Sequence, residues 1–175
     1  MLWTRHVADS LQLLALAPDA ETWLDLGSGG GFPGLVIASA LAGIAGAEVH
    51  LVESNGKKSA FLREAARIVE LPAIVHHQRI EDFIVNCAAR VDVVTARALA
   101  PLAGLLTYAR PFIERGAQGL FPKGQDVEAE LTQASKYWNI GAALVPSRTD
   151  PRGRIVVVRR AERWTAAPES DVISR

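Results

Sequence analysis

Five glycines fall within one ten-residue stretch, which is the part of the sequence best suited to hold a ligand. It runs from Asp25 to Gly34 and reads DLGSGGGFPG. A short apolar run precedes it and a helical pattern follows it, which is the setting of loops that bind nucleotides. Glycine permits the tight turn and the close approach of ligand to backbone that such loops need. An ordinary strand–helix turn needs far fewer glycines, so the stretch predicts a nucleotide-like ligand.

Two ligands fit this loop. Starting at Gly29 it satisfies G-x-G-x-x-G, and Glu53 follows about 20 residues later, which is the pattern of an NAD site. Counted from Asp25, however, the loop reads D-x-G-x-G-x-G, which places an acid at the end of a strand. A carboxylate there would repel a pyrophosphate but favour the sulfonium and ammonium groups of S-adenosylmethionine. The sequence therefore favours S-adenosylmethionine, and an NAD-dependent oxidoreductase is the alternative.

Residues at the ends of two further predicted strands extend the candidate site. Glu53 ends one of them, where its carboxylate is placed to bind ribose hydroxyls. Ile80 and Glu81 follow another, where a backbone amide and a carboxylate can bind the edge of an adenine. Glu81 is equally suited to the first turn of a helix, so its role stays open.

Alternating strand and helix patterns position these residues at one edge of a sheet. An amphipathic helix is predicted over Trp3–Leu16, with Trp3, Val7, Leu11 and Leu14 on its apolar face and an Arg5–Asp9 ion pair on the other. Repeated strand–helix units imply a doubly wound, mostly parallel, Rossmann-like α/β sheet, and a closing pair of strands adds an antiparallel edge. Predicted strands are 22–26, 48–53, 73–76, 91–95, 119–121, 142–146 and 154–158; predicted helices are 33–41, 55–69, 80–87, 101–113 and 128–137.

Bulk composition predicts one globular domain. The 175 residues suit a domain over 1–160, with its first helix in 1–17, and a polar tail over 161–175 that we expect to be disordered. With no leader pattern, no apolar run of membrane-spanning length and one cysteine, we expect a cytoplasmic monomer with no membrane contact. The 19 basic and 19 acidic residues balance, so any RNA binding must use a local basic patch or a substrate presented by a larger particle.

Several motifs together resemble the bacterial 16S ribosomal RNA (guanine-N7)-methyltransferase family, historically called glucose-inhibited division protein B. The resemblance covers Trp3 to about Arg159. The similar stretches are Arg5–Ser10 (RHVADS), the Asp25–Gly34 loop, Ser54–Leu62 (SNGKKSAFL), Thr95–Leu102 (TARALAPL) and Lys123–Gly124.

The resemblance implies transfer of a methyl group from S-adenosylmethionine to N7 of a specific guanine, in free 16S ribosomal RNA or in the small ribosomal subunit. N7 has an in-plane lone pair and no proton, so no general base is required, and alignment alone can supply roughly 7–11 kcal/mol. Arg97 would position the guanine, a phosphate or the cofactor carboxylate, and Arg5, His6 and Lys123 would face the RNA. The cofactor-binding set implied by the loop and the resemblance together is Asp25, Gly27, Ser28, Gly29, Gly31, Phe32, Glu53, Ser54, Ile80, Glu81 and Arg97.

Two departures from the family pattern bear on these expectations. The family usually has a further N-terminal helical segment with a Y-N-L-T stretch, so we expect this sequence to be a fragment, a late start or a shortened variant. Pro101 stands where the family has serine.

No cluster of residues has metal-ligand spacing, so no metal is expected. A non-enzymatic RNA-binding module that keeps the fold is a third hypothesis.

Overall fold

The computed structural model describes residues 3–164, with side chains from residue 6 onward. Seven strands form one sheet in the order β3-β2-β1-β4-β5-β7-β6. The strands are β1 (Thr22–Leu26), β2 (Glu48–Val52), β3 (Ala73–His76), β4 (Val93–Thr95), β5 (Gln118–Lys123), β6 (Trp138–Pro146) and β7 (Arg154–Arg163). The α-helices are α1 (Asp9–Leu11), α2 (Gly34–Ala40), α3 (Gly56–Ile68), α4 (Ile80–Asn86), α5 (Leu102–Ile113) and α6 (Val127–Ala134).

The first five strands are parallel and end at a common edge. β1 lies between β2 and β4, and Leu26 is in register with Val52 while Asp25 is in register with Thr95. The carboxyl ends of parallel strands meet at the same edge, where ligands of open α/β sheets bind. The predicted strands and helices are all present, with their ends shifted by a few residues.

The two antiparallel strands do not follow chain order in the sheet. β7 lies between β5 and β6 and is antiparallel to both, so the last described strand is inside the sheet and β6 forms its edge. β7 continues to Arg163, opposite Trp138. The prediction that the tail begins at residue 161 is therefore wrong for 161–163, because β6 is long enough to pair with them. Residues 165–175 lie outside the described residues.

The N-terminal segment is helical, but its geometry differs from the predicted single α-helix. It comprises a π-helix (Trp3–Ala8), the short α1 and a 3-10 helix (Leu14–Leu16). Each change of hydrogen-bond spacing rotates the side chains about the axis. Leu13 is consequently fully buried and Leu11 is exposed, so the predicted apolar face is wrong at Leu11. The predicted partner of Asp9, Arg5, has a side chain outside the described residues.

Helices cover both faces of the sheet and bury a core on each. On one face Phe83 of α4 and Phe112 of α5 pack with Trp138. On the other, Leu13 of the N-terminal segment packs with Ile37 of α2 and Leu62 of α3. Within residues 3–164, no helix combines the length and the apolar character needed to cross a membrane.

Candidate functional site

The glycine loop is fastened to the end of β2 by its own backbone. The amides of Gly27 and Ser28 both donate to the carbonyl of Val52, at 2.9 and 3.0 Å. Gly27, Gly29 and Gly31 have φ values of 69°, 55° and 89°, which only glycine adopts without strain. A methyl group added at Gly29 would meet only a backbone oxygen at 3.8 Å, and one added at Gly30 would meet nothing within 4 Å. The loop therefore presents a backbone surface free of side chains.

Asp25 supports the loop from beneath. Its side chain is buried, and Oδ2 accepts a hydrogen bond from the amide of Gly34 at the start of α2, at 3.2 Å. Burial raises the pKa of Asp25 from 3.8 to about 7. Asp25 is therefore not the full, exposed charge that the loop pattern predicts at the end of β1, because its carboxyl is buried and partly protonated at neutral pH. Its electrostatic preference between the two ligands is correspondingly weaker.

Glu53 joins the loop to the next helix. Its carboxylate accepts from the amide of Gly29 at 2.9 Å and from the amide of Asn55 at 2.7 Å. The predicted ribose-binding acid thus lies directly beside the loop and is held by two backbone donors. Each carboxylate oxygen retains a lone pair, because such an oxygen can accept two hydrogen bonds. Ser54, the next predicted contact, is exposed, and its carbonyl lies 3.2 Å from Nε2 of His77.

Ile80 and Glu81 open α4 at the same edge. Ile80 is half-buried against the core, while Glu81 is exposed. The hydroxyl of Tyr108, from α5, donates to Glu81 at 2.9 Å. Burial, followed by the Glu81 carboxylate, raises the pKa of Tyr108, so Tyr108 stays protonated and fixes the Glu81 side chain. The sequence analysis did not identify Tyr108, because no local pattern links it to Glu81.

Arg97, Phe32 and His6 form a cluster above the loop. The Arg97 guanidinium lies 5.7 Å from the centre of the Phe32 ring, within the range of a cation–π contact. Arg97 also lies 2.8 Å from Nδ1 of His6, and the guanidinium must be the donor in this bond. The His6 ring packs on Phe32 with ring centres 5.0 Å apart. The structure thus brings together three residues that were predicted from separate motifs.

Lys123 has a structural partner that the sequence analysis missed. Its Nζ donates to Glu130 at 2.7 Å and to the carbonyl of Ala100 at 2.8 Å. Glu130 also accepts from the amide of Leu102, which begins α5, at 2.8 Å. Glu130 lies on the largely exposed helix α6, yet it pairs with a lysine on β5 and so is not simply a solvated acid. Arg5, the remaining predicted RNA contact, has a side chain outside the described residues.

An open cavity of about 860 Å³ adjoins the loop at the carboxyl ends of β4 and β5. Arg97 and Lys123 line it, together with Asp9 of the N-terminal segment. Residues 147 and 149–153 of the connection between β6 and β7, together with Arg154, form a further part of its wall. This connection joins two predicted strands, 142–146 and 154–158, and was not among the predicted site residues. No group of acidic, cysteine or histidine side chains suited to a metal ion occurs within residues 3–164.

Comparison with solved structures identifies the fold. The chain matches cofactor-bound Rv0187 from MTB with a TM-score of 0.63 at 17% identity, covering 89% of this chain and 80% of that one. It matches TrmN from Thermus thermophilus with a TM-score of 0.61 at 21% identity, covering 85% and 47%. At these identities the likeness shows the fold alone. The predicted doubly wound, mostly parallel, Rossmann-like sheet with an antiparallel pair of strands at its edge is confirmed.

Curated relatives are much closer in sequence. The chain is 58% identical over 167 residues to ribosomal RNA small subunit methyltransferase G of Nitrobacter hamburgensis, covering 95% of this chain and 64% of that protein. It is 60% identical over 162 residues to the protein of the same name from Bradyrhizobium sp. (strain BTAi1), covering 93% and 73%. The chain therefore spans about two thirds of the length of these relatives. Their names give no support to the NAD-dependent oxidoreductase alternative.

The match extends to the family level. The family described as GidB, rRNA small subunit methyltransferase G, matches residues 1–149, which include the glycine loop, Arg97 and Lys123. The family predicted from the motifs is thereby confirmed. This chain belongs to the GidB family.

Proposed function

We propose that this protein transfers a methyl group from S-adenosylmethionine to N7 of a guanine in 16S ribosomal RNA. The observation that carries the proposal is the position of Arg97, which contacts Phe32 of the glycine loop and also lines the adjoining cavity. A methyl transfer needs a donor site and an acceptor site that meet at one point. The contact of Arg97 with Phe32 supports such an arrangement, with the loop as the donor site and the cavity as the acceptor site.

The loop residues fit the donor. The bare backbone at Gly29 and Gly30 gives room for a ligand, and Glu53 lies within hydrogen-bond distance of the Gly29 amide. S-adenosylmethionine supplies the electrophilic methyl group when bound. Glu53 would hold the ribose hydroxyls, while Ile80 and Glu81 would lie along the adenine. Asp25 would act indirectly, since it shapes the start of α2.

The cavity residues fit an acceptor that needs no deprotonation. Three carboxylates line the cavity, and each is already hydrogen-bonded: Asp9 to Thr149, Glu130 to Lys123, and Asp150 to the amide of Arg152. Each of these acids therefore already has a structural partner within the fold. Guanine N7 offers a lone pair without a proton, so positioning is the main task of the site. Within this proposal the protein acts as a monomer in the cytoplasm, on 16S RNA alone or in the small subunit.

The direct test is to look for the methylated base. Small ribosomal subunits, and separately the 16S RNA extracted from them, would be taken from cells that lack this modification and incubated with the protein and S-adenosylmethionine. Mass analysis of the digested RNA should reveal 7-methylguanosine at one position. Comparison of the two preparations shows whether free RNA or the assembled particle is the substrate.

A matched control separates chemistry from folding. Gly29→Val should yield no 7-methylguanosine while it unfolds cooperatively in urea. If the unaltered protein binds S-adenosylhomocysteine, is folded, and yet produces no 7-methylguanosine on either substrate, the proposed function is wrong. Binding of ribosomal particles without any affinity for S-adenosylhomocysteine would favour the RNA-binding module.

A further inference from the structure

The connection between β6 and β7 supplies the cavity with two arginines that the donor site does not use. Arg152 is exposed at the cavity wall, and Arg154, half-buried, begins β7. We propose that Arg152 and Arg154 bind a backbone phosphate of the RNA whose guanine enters the cavity. This inference rests on the proposed function, because it names the contact that holds the acceptor.

The guanidinium groups of Arg152 and Arg154 favour an anionic ligand at this end of the cavity. Among the described residues no ion pair joins Arg97, Arg152 or Arg154 to a carboxylate. The Arg152 side chain donates to Gln125 Oε1 at 3.3 Å, and the Arg154 side chain donates through Nη1 to two backbone carbonyls. A guanidinium has five N–H donors, so both side chains keep donors for a ligand. Guanidinium groups bind phosphate through paired N–H donors, which makes phosphate the best-matched anion.

The connection is held in place by the N-terminal segment. Asp9 accepts from the hydroxyl of Thr149 at 2.9 Å, and Gln12 accepts from the amide of Arg148 at 2.8 Å. Gln12 is buried, and Asp150 caps the turn by accepting from the amide of Arg152 at 2.9 Å. Arg152 therefore lies on a braced turn, and Arg154 follows that turn as the first residue of β7. Such bracing lowers the entropy lost when a ligand binds.

A local phosphate contact would also explain how a chain with no net charge can bind RNA. The formal net charge is zero, so the protein as a whole does not attract RNA. Affinity for RNA must then come from a few cations with free donors. Arg152 and Arg154 meet that description, whereas Lys123, also at the cavity, is already engaged by Glu130.

The test measures RNA affinity and its salt dependence in paired variants. Filter binding of unmethylated 16S RNA to the protein, saturated with S-adenosylhomocysteine, would be measured over a range of KCl concentrations. Arg152→Gln should weaken binding about tenfold and lower the slope of log affinity against log salt by about one. Arg159→Gln, an exposed arginine on β7 outside the cavity, is the control and should change neither quantity. Arg154→Gln should resemble Arg152→Gln, with its fold confirmed by urea unfolding.

Further readouts separate this inference from the proposed function. Both cavity variants should keep the affinity of the unaltered protein for S-adenosylhomocysteine, and should raise KM for RNA with little change in kcat. If the unaltered protein methylates RNA but Arg152→Gln binds RNA with unchanged affinity and salt slope, the phosphate contact is wrong. Loss of S-adenosylhomocysteine affinity in Arg152→Gln would also overturn it, since the arginine would then belong to the donor site. Absence of methylation by the unaltered protein, by contrast, refutes the proposed function itself.

Discussion

The glycine loop and the adjoining cavity lie at the same edge of the sheet but are built from very different spans of sequence. The contacts that shape the loop join residues between Asp25 and Asn55. The cavity wall joins Asp9, Arg97 and Arg152, and its bracing contacts link residues more than a hundred positions apart, as in the bond between Asp9 and Thr149. The loop is therefore fixed by local backbone geometry, whereas the cavity depends on the completed tertiary fold.

The largest effect should come from breaking the loop alone. Gly29→Val puts a β-branched side chain at a φ of 55° on the bare backbone surface, which combines strain with loss of room for the ligand. Affinity for S-adenosylhomocysteine, measured by calorimetry, should fall at least about a thousandfold, or about 4 kcal/mol. Gly124→Ala, at the cavity with nothing near the added methyl group, should leave this affinity unchanged. Equal affinities in all three proteins would show that the loop is not the donor site.

The buried carboxyl beneath the loop should make the stability of the protein depend on pH. Because the pKa of Asp25 is raised from 3.8 to about 7, the folded protein keeps a proton that the unfolded chain releases between these values. The free energy of unfolding should fall as pH rises through this window, with a contribution from this group of up to about 4 kcal/mol. Asp25→Asn should remove that contribution, as measured by urea unfolding from pH 4 to 8.

A surface acid provides the control for this pH dependence. Asp19 is exposed, and Asp19→Asn should reproduce the pH profile of the unaltered protein. Parallel profiles for Asp25→Asn and the unaltered protein would mean that the Asp25 carboxyl titrates normally in the folded state.

An intermediate effect, on the free energy of unfolding, is expected at Glu130, whose contacts at the cavity join separate parts of the chain. Glu130→Ala removes the partner of the Lys123 ammonium and the acceptor for the amide of Leu102. The free energy of unfolding should fall by about 2 kcal/mol, less than for a fully buried pair because Glu130 is partly exposed. Glu128→Ala, on an exposed position of the same helix, should change it by less than about 0.5 kcal/mol. If Glu130→Ala and Glu128→Ala lose similar amounts of unfolding free energy, the contacts of Glu130 do not stabilise the cavity.

The smallest effect is expected at Tyr108, which contacts Glu81 at the edge of the proposed donor site. Tyr108→Phe deletes the hydroxyl that donates to Glu81. If Glu81 lies along the cofactor, loss of its orientation should weaken S-adenosylhomocysteine binding about threefold, typical of one exposed hydrogen bond. Tyr137→Phe, which lies beyond α6, should have no effect on the same measurement. An unchanged affinity in Tyr108→Phe would separate Glu81 from cofactor binding.

The same contrast explains what sequence alone could predict. The strands, the glycine loop and Glu53 follow from local patterns, because strand burial and turn geometry are determined by neighbouring residues. The N-terminal segment was predicted less well, since its changes of helical hydrogen bonding depend on packing against the sheet. The pairing of Lys123 with Glu130 and the extension of β7 to Arg163 depend on partners that no local pattern identifies.

The position of β7 between β5 and β6 affects how the sheet can form during synthesis of the chain. Until Arg154–Arg163 has been synthesised, the outer edge of β5 and the inner edge of β6 have no partner. An unfinished chain therefore exposes these edges of β5 and β6, and open strand edges are prone to pair with other chains. The cavity wall is complete only once β7 has formed, so a nascent chain can complete its glycine loop well before it can form the proposed RNA site.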